Sequence, residues 1–573
     1  MANTKGIKWN SLQHNGPVFP PEYEYVGFKI KVANKPIILN PDAEEVAYFW
    51  AQKHNTDYIT DPVAIKNFWK DFKRYLPIEL KETIFPTDWN FTSMINHVEN
   101  KKLETKSRTK EERNELKEQK NIIKSEYGTA ILNGDEIALG NYVIEPPGLF
   151  MGRGDHPNRF RLKKRIKPED VIINHSMDIP APKPPKGHSW KQVIENKEAL
   201  FTAAWVEPNL HNGKRILFAN DSIIKQNSDK SKFDRVSKLA GNVDLVKRKI
   251  KTKLKNTDYK TRKIATVATI ISELAIRVGN EKGEDSAKTF GATTLLCKHI
   301  KINGNNVSFN FLGKDSVPYI NTVKFSPLFV ENLTSIMLNK KPNDAIFDGI
   351  SSGDINRFFN SILPGISAKD FRTAYGSLLL AGALSSKDIS TMTLNQKMQF
   401  YTDANLSVAK KLNHHSAVSP QYEAQLSKLI DTEKIYKKQL RKAKREFSAE
   451  KSKLIKTKTD KIAQIKEKSP KNKTERIKKA RVAYTNKLAK LEKGITRFEL
   501  MYETISIKVK TKKDTKGIAL GTSKTNYSDP RINYSFCNDN NIPIQKVYTP
   551  TLQKRFEWAK DVNNTFYKNY PNV

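Results

Sequence analysis

The chain has 573 residues, 38% of them hydrophobic and 9% aromatic, which excludes wholesale disorder and exceeds one core, so about three to five domains are expected. Lysine and arginine outnumber aspartate and glutamate by 100 to 61, a net charge of +39 that calls for a polyanionic partner, of which nucleic acid is the usual one. Two cysteines, Cys297 and Cys537, exclude a disulfide framework and a cysteine-rich zinc site, and fit a reducing compartment.

The opening "MANTKGIKWN" lacks the apolar centre of a signal peptide, and no apolar run spans a bilayer, so a soluble, intracellular protein without a membrane partner is expected. Residues 1–24 are punctuated by Pro and Gly. From residue 25 to 109, short apolar alternations such as "YEYVGFKIKV" give way to amphipathic stretches such as "AEEVAYFWAQKH", which predicts a small inserted α+β unit. The polar run "ENKKLETKSRTKEERNELKEQKNIIKSEYG" predicts an exposed connecting helix. Residues 130 to about 222 go on to read as strand- and loop-rich, with "DIPAPKPPKGHSW" as a rigid connector rather than a peptide ligand. Helical patterns dominate residues 223–419, broken by a strand signal at "NVSFNFLGKDSVPYI".

Residues 420–510 carry the clearest pattern. Tyr422, Leu426, Leu429, Tyr436, Leu440, Ala443, Phe447 and Leu454 follow a three–four alternation. It resumes at Ile477, Ala480, Tyr484, Leu488, Leu491, Ile495, Phe498, Tyr502 and Ile505. Two long helices folding back at Ser469–Pro470 into an antiparallel coiled coil is the natural reading. Residues 421–510 hold 27 basic and 11 acidic residues, a net +16, more than solubility needs. Residues 511–573 form a short terminal domain.

No G-x-x-x-x-G-K-[ST] loop occurs, and the ten histidines are scattered, so chemistry that uses neither ATP nor an obligatory metal is expected. If the polyanion is also the substrate, breaking a phosphodiester without metal needs an in-line nucleophile, cationic donors on the non-bridging oxygens and an acid for the leaving alkoxide. Tyrosine suits reversible work, because its phosphodiester conserves the energy of the broken bond. Arginine suits the clamp. A lysine among positive neighbours suits the acid. Candidate stretches are "ELAIRVGNEKGE" with Arg277, "FNFLGKDS" with Lys314, "SAKDFRTAYGS" with Arg372, "VAKKLNHHSAVSP" with His414 and His415, and "GTSKTNYSDPR" with Tyr527. Singly each has a plainer reading: an ion pair of Arg277 with Glu281, a surface turn at Lys314, a helix cap at the histidines.

Together, in this order, these stretches resemble the eukaryotic type IB DNA topoisomerases. The resemblance covers nearly the whole chain: "GIKWNSLQHNGPVFPPEYE" and "EPPGLFMGRGDHP" followed by "PEDVIIN" match the core, and residues 420–510 the linker. It implies a multidomain α+β, two-lobed DNA clamp. Residues 1–24 and 110–222 are the mixed α/β cap, with 25–109 inserted. Residues 223–419 are a mainly helical catalytic lobe with a small antiparallel sheet, 420–510 the coiled-coil linker, and 511–573 a small helical C-terminal domain. It further implies that Tyr527 attacks a DNA phosphate to leave a 3′-phosphotyrosyl, that Arg277, Arg372 and His414 contact the non-bridging oxygens, and that Lys314 protonates the 5′ oxygen. Phe150, Arg153, Asp315 and Asn526 match positions beside the cleavage site where camptothecin-type inhibitors stack, and Asn280 is a candidate phosphate contact. The N-H register favours His414 over His415.

A monomer acting on double-stranded DNA in the nucleus is implied. The family's long charged N-terminal tail has no counterpart here, which reads as a compact form, and the linker reads as longer than usual. A tyrosine site-specific recombinase is the enzymatic alternative. Those enzymes show H-x-x-R, whereas the third residue after His414 is Ala417, and Tyr527 follows 113 positions on. A non-catalytic architectural DNA binder is the other alternative; its binding would be salt-sensitive and indifferent to Tyr527.

Overall fold

The computed structural model describes residues 7–280, 286–468 and 472–571; Glu281 and the expected fold-back at Ser469–Pro470 lie outside them. The chain is multidomain α+β, with several small sheets and long helices. It divides into two compact units. One holds Met1–Asp234, Val246–Ala368 and Thr551–Trp558, the other Arg235–Leu245, Lys369–Pro550 and Ala559–Val573. No helix among the described residues is long and apolar enough to cross a membrane.

In the first unit, Leu12–Gln13 pairs with Thr129–Leu132, which pairs in turn with Asp135–Ala138 across an Asn133–Gly134 turn, the dipeptide that tight hairpins prefer. The intervening chain builds a core that Leu149, Phe160 and Leu162 complete from further along the chain. The hairpin Lys29–Val32/Lys35–Ile38 and strand Trp89–Asn90 share it with helices Pro41–Ala51, Pro62–Phe72 and Thr92–Ser107. Asn40 and Asp61 cap the first two helices, each followed by a proline whose missing N–H is no loss there. Trp50, Phe68, Phe72, Phe85 and Trp89 interlock, the Trp50 and Phe68 rings 4.7 Å apart.

The polar run that follows was expected as one helix but forms two, Thr92–Ser107 and Lys110–Tyr127. The break has a local cause. The Thr109 hydroxyl accepts from the Glu112 N–H while the Glu112 carboxylate accepts from the Thr109 N–H, and this box starts a new helix. Beyond it, strand Ile172–Asn174 lies between Gln192–Ile194, parallel to it, and Phe201–Val206, which also pairs with Gly213–Leu217. The Pro-dense connector is bound to its own unit: the Trp190 indole N–H donates to the Pro182 carbonyl at 2.7 Å, and its ring stacks on Phe19. Further on, helix Tyr259–Leu274 is buried along most of its length. The strand signal near Asn306 resolves into a three-stranded antiparallel sheet of Ile300–Asn303, Asn306–Leu312 and Pro318–Lys324.

The second unit is helical. Tyr422–Lys468 and Lys473–Asp514 pack antiparallel, and every residue of the expected apolar seam is buried or half-buried. Lys444 pairs with Glu499 at 3.1 Å, and the Lys458 ammonium stands 4.3 Å from the centroid of the Tyr484 ring. At the base, buried Tyr422 donates from Oη to the Lys512 carbonyl at 3.0 Å. Hydrogen bonds from Asn395 to Thr504 and from Thr511 to Gln399 fasten this base to helix Leu394–Lys411.

Candidate active site

Three of the expected site residues meet in the second unit. Arg372 lies on helix Ala368–Ser385, directly after Phe371, which fixes that face of the helix in the core. His414 follows helix Leu394–Lys411, just past Asn413, whose φ of 55° ends the helical turn. Tyr527 closes a π-helical turn, Ser523–Tyr527. A widened turn of this kind inside a helical run is often found at functional sites.

Their geometry is compact. The guanidinium carbon of Arg372 stands 5.1 Å from the Tyr527 ring centroid, and the His414 and Tyr527 rings lie 4.9 Å apart. Arg372 Nη2 donates to the Leu412 carbonyl at 2.8 Å and sits 3.5 Å from His414 Nε2. His414 Nδ1 lies 3.0 Å from the hydroxyl of Ser523, which is fully buried. Arg372 and His414 are buried and Tyr527 half-buried, whereas Asn526 and His415 are exposed. Next to the tyrosine, burial holds the Lys524 ammonium below its usual pKa, and its Nζ donates to the Val547 carbonyl at 3.1 Å.

The backbone around Tyr527 is held on both sides. Its carbonyl oxygen rests on Gly376, where a β-carbon would stand 2.2 Å away, so this helix position must be bare for the two segments to touch. Two residues on, the Asp529 N–H donates to Ser377 Oγ at 3.0 Å. The buried Asp529 carboxylate caps helix Pro530–Asp539 and pairs with Arg531 at 2.7 Å. A phenol is thus presented beside a fixed cation and an imidazole, on a segment clamped by its own neighbours.

The remaining candidates lie in the first unit. Arg277 and Asn280 are exposed on the loop that leaves helix Tyr259–Leu274, with Gly279 at a φ of 89°. That loop is tied down by Ala292 N–H to Arg277 O at 2.9 Å and Thr293 N–H to Val278 O at 2.7 Å. Lys314 and Asp315 occupy the turn between strands Asn306–Leu312 and Pro318–Lys324, with Asp315 in the left-handed region at a φ of 65°. Arg153 reaches Asp315 at 2.7 Å, and both line a cleft of about 620 Å³ together with Phe150, Lys163, Lys214 and Lys314. Phe150 is held edge-on by His156, their centroids 4.8 Å apart. Among the described residues no three His, Cys, Asp or Glu side chains cluster as a metal site requires.

Sequence reasoning passed over Ser523 and Gly376. Ser523 stands four residues before Tyr527 in the same quoted stretch, so the spacing was visible, but its partner lies 109 positions away. Gly376 stands four residues after Arg372 in a helical stretch, and no local signal separates it from an ordinary helix glycine.

Comparison with known proteins gives a consistent result along the chain. Residues 7–218 match the DNA-binding fragment of eukaryotic DNA topoisomerase I, residues 221–447 its catalytic core, and residues 500–568 the C-terminal topoisomerase domain. The chain is 34% identical over 564 residues to "DNA topoisomerase 1 beta" of Arabidopsis thaliana, covering 98% of itself and 59% of that protein. It is 33% identical over 564 residues to "DNA topoisomerase I, mitochondrial" of Homo sapiens, covering 97% of itself and 90% of the relative. It is 34% identical over 577 residues to "DNA topoisomerase 1" of Homo sapiens, with coverage of 98% and 72%.

Proposed function

Since this chain belongs to the eukaryotic DNA topoisomerase I family, we propose that it is an ATP-independent type IB topoisomerase that relaxes positive and negative supercoils in duplex DNA. The observation that carries the reading is the packing of Tyr527 against Arg372 and His414. The Tyr527 phenol gives up its proton to water as its oxygen attacks a backbone phosphorus. The bond from phosphorus to the 5′ oxygen breaks, the 3′ end remains on the tyrosine, and Lys314 supplies the proton for the departing 5′ hydroxyl. One strand then swivels about the other, and the 5′ hydroxyl attacks the phosphotyrosyl to reseal the backbone. Each step exchanges one phosphodiester for another, so no nucleotide is consumed.

In this reading Arg277, Arg372 and His414 contact the non-bridging oxygens, where developing charge is stabilised by donors already in place. Asn280 contacts a neighbouring phosphate. Recognition is mainly of backbone, so affinity falls steeply with salt and sequence preference is weak. The basic linker adds to this attraction. Phe150, Arg153, Asp315 and Asn526 form the surroundings in which a camptothecin-type inhibitor stacks at the nick. No metal is obligatory, the enzyme acts as a monomer, and nuclear residence follows the resemblance.

The test is relaxation of supercoiled plasmid in EDTA without ATP, comparing wild type with Tyr527→Phe, followed by denaturation to trap protein on DNA ends. Relaxation and a 3′ adduct, both lost in the variant, are expected. Relaxation that survives in Tyr527→Phe removes Tyr527 as the nucleophile. DNA binding without relaxation by either protein favours the architectural alternative.

A further inference from the structure

The Ser523 hydroxyl is fully buried, 3.0 Å from His414 Nδ1, and that nitrogen is its one hydrogen-bond partner among the described residues. A buried hydroxyl whose proton goes unused carries a desolvation cost of about 1–3 kcal/mol, so the favoured arrangement has Ser523 donating and Nδ1 accepting. A neutral imidazole has one N–H, and a hydrogen bond accepted at one nitrogen puts the proton on the other. The other nitrogen, Nε2, lies 3.5 Å from Arg372 Nη2, which already donates to the Leu412 carbonyl at 2.8 Å. Two nitrogens at that separation suit two donors converging on one anionic acceptor better than a hydrogen bond between themselves.

We propose that Ser523 is a positioning residue for His414: its hydroxyl donates to Nδ1 and so keeps the imidazole proton on Nε2, beside Arg372, where it is given as a hydrogen bond to a phosphate oxygen. The inference rests on the topoisomerase reading for the identity of that oxygen. Ser523 and Tyr527 bound the same π-helical turn, so the segment that presents the nucleophile also sets the protonation of its neighbour. Arg372 and Tyr527 both face the ring, and the group at Nδ1 is the Ser523 hydroxyl rather than either of them. Ser523 itself touches no substrate atom in this scheme.

The experiment joins a spectroscopic and a kinetic readout on the full chain. Nitrogen-15 spectra of histidine-labelled wild type, with the His414 signals assigned by their loss in His414→Gln, report which ring nitrogen is protonated. Nε2 carrying the proton is expected, with Ser523→Ala shifting toward a tautomer mixture. Single-turnover cleavage of a suicide duplex should slow roughly tenfold in Ser523→Ala, the cost of one hydrogen bond, with equilibrium DNA affinity unchanged. Ser523→Thr, which keeps the hydroxyl, should recover most of the rate. A wild-type proton on Nδ1 overturns the proposal even if Ser523→Ala fails to fold. So does a Ser523→Ala variant that cleaves at the wild-type rate. Wild type that forms no adduct at all refutes the topoisomerase reading instead, while the tautomer measurement still decides the role of Ser523.

Discussion

The guanidinium of Arg372 stands over the ring of Tyr527, 5.1 Å from its centroid, and is itself buried. In the proposed mechanism a fixed cation there favours the phenolate oxygen as negative charge builds, and its planar fork holds the phosphate at the same time. Arg372→Lys keeps the charge and loses the fork; Arg372→Ala loses both. Either change is expected to slow single-turnover adduct formation by about 10²–10³-fold, the scale of one preorganised donor, while DNA affinity changes little. A lysine variant that cleaves at the wild-type rate would show that charge alone suffices.

A second expectation concerns acid stability. Burial, opposed by the hydrogen bond to Asn174 and aided by His175, lowers His14 from 6.5 to about 4. The geometry agrees: Nδ1 accepts from the Gly16 N–H at 3.0 Å and Nε2 lies 3.0 Å from the Asn174 carbonyl, so the neutral ring is already satisfied. Protonating Nδ1 sets two N–H groups against each other. Above pH 6.5 both folded and unfolded states hold a neutral ring and nothing is lost. Between pH 6.5 and 4 the unfolded chain takes up a proton that the fold refuses, so stability falls, by up to about 3 kcal/mol. Urea unfolding across this range should show the slope in wild type, and a shallower one in His14→Gln.

How much of this was legible in the sequence depends on how local the cause was. The linker seam could be read because its period repeats over many turns, and the same residues from Tyr422 to Ile505 are the less exposed ones. Tyr527, Arg372 and His414 could be singled out by residue type, but only the family resemblance brought them to one phosphate; no local pattern could, since helix Ala368–Ser385 is separated from the tyrosine by the whole coiled coil. The π-helical turn at Ser523 left no sign, because a widened turn is set by what packs on it, here Gly376 and Ser377. The break at Thr109 was legible through its capping residues, yet the unbroken run of charge around it suggested one helix.

Arg153 and Asp315 form an ion pair at 2.7 Å with side chains 73% and 43% exposed. Exposed pairs contribute about 0–1 kcal/mol, so Arg153→Ala should leave the melting temperature nearly unchanged. If Arg153 serves DNA and inhibitor instead, the variant should lower the dependence of log affinity on log salt by about one ion, and camptothecin should trap less adduct. Unaltered salt dependence together with full inhibitor trapping would reduce this pair to a surface contact.

Asp229 and Arg555 form the opposite kind of pair, 2.7 Å apart and almost entirely buried, with Lys225 also reaching Asp229 at 2.6 Å. Burial raises the Asp229 carboxyl, but the hydrogen bonds from Arg555 and Lys225 outweigh it and leave the pKa below its usual value. Removing one partner strands a charge inside: Asp229→Ala leaves Arg555 beside Phe556 without its carboxylate and should cost about 3–5 kcal/mol. Replacing both, as in Asp229→Leu with Arg555→Met, removes the stranded charge and should recover most of that loss. The double-mutant cycle in urea measures the coupling. A double variant no more stable than Asp229→Ala would mean that the shape of the pair, rather than its charge, is what this part of the core requires.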